Sequence, residues 1–128
     1  MAKIEGTCKS VVDKAEWVAI GTAGGSGAHL AATWGDYVRE LSKLEEDRLL
    51  IPVGGMGETE RNLLSCEAIE LLFATRQVQG SHGPGQGCKV KGRGRVMTMG
   101  EDFERAKKRF PWARAVLLVT VEEAKEQL

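Results

Sequence analysis

In Pro52–Arg61 (PVGGMGETER), glycines precede a candidate helix start. Such glycines let backbone N–H groups converge at a helix N-terminus, which is how a chain aims donors at a phosphate. The segment lacks the Gly-Lys-Ser/Thr ending of a nucleotide-hydrolysing loop. Taken alone, a strand–Gly–Gly–helix turn is more often only a turn. Trp34, Tyr37 and Trp112 are aromatics that either flank a planar ligand or fill a core or rim. His29 and His82 lie far apart, with no second ligand at helical spacing, so a metal site is not expected. Ser26 in GGSGAH has the look of a nucleophile elbow, but that elbow joins strand to helix and this segment reads as a hairpin loop. No acid–base constellation stands out.

The elements that must position these residues are short. Thr7 is placed to cap a helix over CKSVVDKAE, with Val11, Val12 and Ala15 on one face. Trp17–Thr22 and His29–Val38 read as antiparallel strands around the loop AGGSGA. Arg48–Val53 reads as a short apolar strand with Pro52 at its end, followed by the turn GGMG. Glu58–Ser65 reads as a helix with Leu63 and Leu64 inward. Ala68–Gln77 and Cys88–Met99 read as strands around GSHGPGQG, the second with Lys89, Lys91, Arg93 and Arg95 alternating onto one solvated face. Glu101–Arg109 carries acids first and bases last, as a helix dipole favours, and Pro111 stops it. Trp112–Val121 is an apolar strand, and EEAKEQL is expected to be a frayed helix or tail. Five or six strands with short helices between them predict a mainly β fold, an antiparallel barrel with helices on its rim.

At 128 residues the chain has the size of a single domain, 1–128. Lys plus Arg and Asp plus Glu number 18 each, so no global field draws nucleic acid or an anionic membrane, and no nucleic-acid partner is expected. Cys8, Cys66 and Cys88 have no CxxC spacing, and three unpaired thiols suit a reducing compartment. The first residues lack an apolar run of secretory type, and no apolar stretch reaches the ~18 residues that cross a bilayer. A cytoplasmic protein without a membrane partner is expected.

The segments HLAATWGDYV, LIPVGGMGETERN, GSHGPGQG and FPWARAVLLVTV occur together in this order. In that combination the chain resembles, from about Trp17 to Leu128, the small FMN-binding proteins known from sulfate-reducing bacteria. These belong to the flavin-binding split-barrel, or pyridoxamine 5'-phosphate oxidase-like, superfamily. The resemblance implies an antiparallel six-stranded split β-barrel and a homodimer with FMN in a groove between subunits. It implies that Thr33 helps hold the phosphate and that Trp34, Tyr37 and Trp112 stand beside the flavin ring. The backbone of Pro52, Val53, Gly54, Gly55 and Met56 would pass along the ring, with Thr59 as a phosphate-binding hydroxyl. Leu128 would reach the partner's cofactor.

Ala32 stands where that family has Asn, and Glu58 where it has a Lys that pairs with the phosphate. A carboxylate there repels a phosphate dianion. Glu58 is therefore expected to point away or to be offset by a base. Arg61 is the first candidate, ahead of Arg76 and Arg114. The resemblance implies an electron carrier with an unknown redox partner and no catalytic side chain. The alternatives are a small flavin-dependent oxidoreductase and a split-barrel module that has lost tight FMN binding.

Overall fold

The computed structural model describes residues 2–128. Six antiparallel strands form one sheet in the order β2-β1-β4-β5-β6-β3, where β1 is Trp17–Gly24, β2 Gly27–Trp34, β3 Arg48–Val53, β4 Ala68–Gly80, β5 Gly83–Met97 and β6 Ala115–Glu126. The sheet curls into a half-barrel, and its two edges, β2 and β3, do not pair with each other. The α-helices are α1 (Gly6–Lys14), α2 (Gly35–Leu41), α3 (Gly57–Ser65) and α4 (Glu101–Arg109). No helix among the described residues is long and apolar enough to cross a membrane.

Alternation along the strands gives the sheet its inside. Val18 and Ile20 of β1, Ile69, Leu71 and Phe73 of β4, and Val90 of β5 are buried, while their neighbours in sequence are mostly exposed. Helix α1 lays Cys8, Val11 and Val12 on this core. Strand β3 and the first half of β6, Ala115 to Val119, read as continuous apolar runs because both of their faces are covered. Leu49, Ile51, Leu117 and Val119 join the barrel core, while Leu50 and Val116 pack with Leu41 of α2 and Ala106 of α4 in a second cluster.

Several local expectations are corrected. Thr7 lies inside α1 and caps nothing; Glu5 is the N-cap, without a side-chain bond. The second hairpin strand ends at Trp34 rather than Val38, because α2 begins at Gly35, whose N–H donates to the Glu16 carbonyl. The loop AGGSGA shrinks to a tight turn at Gly25-Ser26, since Gly24 and Gly27 already pair. Leu63 is buried but Leu64 is 85% exposed, as neighbours on a helix point about 100° apart. The glycine-rich segment around His82 forms the tip of a longer hairpin, with Gly80 paired to Gly83. EEAKEQL is neither helix nor loose tail: β6 runs to Glu126, because Lys89, Val90 and Lys91 of β5 supply its ladder.

Candidate functional site

The turn after β3 and the start of α3 form the centre of the site. Strand β3 is fixed by its ladder to β6, Pro52 opposite Val116 and Val53 opposite Ala115, which delivers Gly54 and Gly55 to the exposed end of the sheet. The residue that takes the left-handed conformation here is Met56 (φ 63°, ψ 34°), and neither Gly54 nor Gly55 has a positive φ. Met56 is the N-cap of α3, so no side chain closes the helix start. The first-turn N–H groups of α3 consequently stay available to an external acceptor. Thr59 lies in that first turn, 1% exposed, and its Oγ1 has no hydrogen-bond partner. Burying a hydroxyl without a partner costs roughly 1–3 kcal/mol. An orphan donor beside an uncapped helix start is the donor set that an anion satisfies.

Three charged groups surround this point. Arg61 stands with Nη1 3.3 Å from where a Cβ on Gly57 would lie, beside the helix start, and has no ion-pair partner among the described residues. Glu58 does not point freely at the helix start; its Oε2 is 3.3 Å from Nδ1 of His29 on β2. Arg114 is committed to the turn: Nε donates to the Gly54 carbonyl (3.1 Å), Nη2 to the Gly55 carbonyl (2.6 Å), and Nη2 also meets Glu60 at 2.8 Å. Of the expected compensating bases, Arg61 is therefore placed and uncommitted. Arg114 is committed to the turn carbonyls and to Glu60, and Arg76 lies against Gly85 in the distant hairpin.

The aromatics divide between two faces. Tyr37, Phe110 and Trp112 form a cluster with ring centroids 4.8–5.8 Å apart. Trp112 lies against Gly54, where a Cβ would come within 3.2 Å of its ring. Thr33 shares a face of β2 with His29, the face on which α3 packs. Ala32 and Trp34 alternate to the opposite face, where Trp34 sits directly across from Trp17; the two are 52% and 56% exposed. One chain thus sets Trp112, with Tyr37 behind it, against Gly54, and Thr59 and Arg61 at the helix start, while β2 carries Thr33 on its α3 side and Ala32 and Trp34 on the other.

Leu128 is not brought to the turn of its own chain. It follows β6, whose 12 residues start beside the turn and carry the chain roughly 30 Å or more away. There the buried Gln86 side chain accepts from the Leu128 N–H at 2.7 Å and donates to its carbonyl, leaving the leucine side chain 61% exposed.

Sequence reasoning missed the Arg114 clasp, the His29–Glu58 contact and the Gln86–Leu128 pairing. Each joins residues more than 25 positions apart, and no local spacing signals them. The cysteines lie outside the site. Cys88 is buried against Cys8, and burial pushes its thiol well above the usual range, while Cys66 is exposed. Among the described residues no group of His, Cys, Asp and Glu could hold a metal ion.

Known proteins share this fold over nearly the whole chain. The chain is 40% identical over 125 residues to the FMN-binding protein of Nitratidesulfovibrio vulgaris (strain DSM 19637 / Miyazaki F), covering 98% of this chain and 99% of that protein. In fold it is similar to HupZ of group A Streptococcus, with TM-score 0.72 at 19% identity over 92% of this chain and 89% of that one. An FMN-binding protein from Syntrophomonas wolfei subsp. wolfei has TM-score 0.67 at 14% identity, over 93% of this chain and 82% of that one. A putative pyridoxamine 5'-phosphate oxidase from Lactobacillus delbrueckii has TM-score 0.66 at 17% identity, over 98% and 99%. No protein-family model matches. By its identity across nearly the full length of both chains, and by its half-barrel fold, this chain belongs to the family of small FMN-binding proteins within the flavin-binding split-barrel superfamily.

Proposed function

We propose that this protein is an FMN-binding flavoprotein of a single domain that carries electrons between partners in the cytoplasm, with the cofactor in a groove between two copies of the chain. The observation that carries the reading is the unpartnered, buried Thr59 hydroxyl at the uncapped start of α3, with Arg61 beside it. Thr59, the first-turn N–H groups and Arg61 would hold the phosphate, with Thr33 on the facing side of β2. Tyr37 and Trp112 would pack beside the ring, and the backbone from Pro52 to Met56 would run along its edge. The bound flavin supplies the redox chemistry, and the chain's part is to hold it, exclude water and set its potential.

Two features favour a second copy. The outer face of β1, β2 and β4 carries Trp17, Leu30, Trp34 and Leu72 exposed, around an open groove of about 690 Å³ lined by Ala19, Gly21, Leu30 and Leu72. Adjacent apolar side chains left in water mark a contact surface, each worth about 1.5–3 kcal/mol when fully buried. Leu128, held far from its own chain's turn, would in that arrangement reach the partner's cofactor. Ala32 and Trp34 would then meet the cofactor from the subunit boundary.

The first experiment is an absorbance spectrum of the purified protein before and after adding FMN and desalting. Retained bands near ~375 and ~450 nm, typical of an oxidised flavin, are the expected result. Glu58 at the helix start supports a second reading, a split-barrel module that no longer holds FMN tightly, and a colourless protein after desalting would favour it. Saturable turnover of a reduced nicotinamide would point instead to a flavin-dependent oxidoreductase.

A further inference from the structure

The side chain of Arg114 spans two successive carbonyls of the turn, Gly54 and Gly55, and its own N–H donates to the Val53 carbonyl at 2.8 Å. Glu60, one turn into α3, holds the same guanidinium at 2.8 Å. The consequence follows from peptide geometry. In a trans peptide the C=O and the following N–H point in opposite directions, and none of the peptide bonds here is cis. Drawing the Gly54 and Gly55 oxygens toward Arg114 turns the N–H groups of Gly55 and Met56 to the opposite side. Neither N–H donates to any backbone carbonyl in the turns and loops of the described chain. Gly55 is exposed and a Cβ on it would meet nothing within 4 Å, while Trp112 closes the flank at Gly54.

We infer that Arg114 is the positioning residue of this turn, aiming the Gly55 and Met56 N–H groups at the acceptor edge of a planar heteroaromatic ring lying beside Trp112. This rests on the flavin reading above and deepens it. Ring acceptors gain electron density on reduction, so donors fixed at that edge stabilise the reduced form more than the oxidised one. Arg114 would thus favour reduced flavin without touching it. Lysine cannot replace it: an ammonium keeps the charge but not the planar fork that reaches two carbonyls.

The test compares the unsubstituted protein with Arg114→Lys and Glu60→Gln, measuring affinity for oxidised and for reduced FMN, midpoint potential, and the NMR order parameters of the Gly55 and Met56 N–H groups in flavin-free protein. The expected result is that Arg114→Lys lowers the N–H order parameters of the turn, weakens binding of reduced FMN about tenfold more than that of oxidised FMN, and lowers the midpoint potential. Glu60→Gln, which leaves the fork intact but unanchored, shifts the same quantities in the same direction by less. Equal weakening of both redox forms, or unchanged N–H order parameters and potential, overturns the positioning role. If the unsubstituted protein binds no FMN, the flavin reading itself falls and takes this role with it. That failure shows without any variant, whereas failure of the inference alone shows only in the variants.

Discussion

At the Thr59 hydroxyl, binding and stability are expected to part. The Thr59 Oγ1 makes no bond within the described chain, so replacing it with an isosteric methyl removes an unmet donor rather than a contact. Thr59→Val is expected to leave thermal stability unchanged or raise it, because a buried unpartnered hydroxyl costs roughly 1–3 kcal/mol. The same change should weaken FMN about tenfold or more, the loss of one hydrogen bond to a charged group. Riboflavin, which has no phosphate, should bind Thr59→Val and the unsubstituted protein alike. Equal loss for both ligands in titration calorimetry would place Thr59 away from the phosphate. Glu58 makes the opposite case. It contacts His29 at 3.3 Å and stands half-exposed at the helix start, so Glu58→Lys should tighten FMN by removing a like charge and adding an opposite one. An unchanged dissociation constant would place the side chain at position 58 away from the phosphate.

The elements are locked to each other by main-chain contacts that leave no room for a methyl group. Arg39 of α2 donates to the Val12 and Ala15 carbonyls at 3.0 and 2.7 Å, closing the C-terminus of α1. Gly35 starts α2 so close to this point that a Cβ there would collide with the Ala15 carbonyl oxygen. Backbone cannot yield as a flexible side chain does. Gly35→Ala should therefore cost about 3 kcal/mol, the upper end for overpacking, and lower the unfolding midpoint in a thermal melt. An unchanged midpoint would show that α1 and α2 slide freely. Since α2 also carries Tyr37, flavin binding should weaken along with stability.

The open half-barrel leaves Trp17, Leu30, Trp34 and Leu72 exposed on one face. If two copies meet there, a charge at its centre should split them without unfolding either, because Leu30 is 74% exposed and contributes little to its own chain's core. Leu30→Asp is expected to give a monomer in sedimentation velocity with an unchanged circular dichroism spectrum and weakened FMN retention. A dimer that survives this substitution would move the interface to another face.

Elements whose pattern is local were legible in the amino-acid order. Arg48–Val53 and Glu101–Arg109 are found with the expected ends, since the first is an unbroken apolar run and the second orders its charges along a dipole. The motif PVGGMGETER likewise announced a helix start, found at Gly57. The limits of such reading are equally physical. EEAKEQL is rich in helix-forming residues, and it became a strand because β5 offers a ladder that propensity cannot see. Gly35 starts a helix because its N–H reaches Glu16, a contact settled by the packing of α1. Folding in three dimensions was needed to show which arginine is uncommitted, that Glu58 turns to His29, and that Arg114 holds the turn. Charges carry no label for their partners, and in this protein the partners stand on different strands and helices.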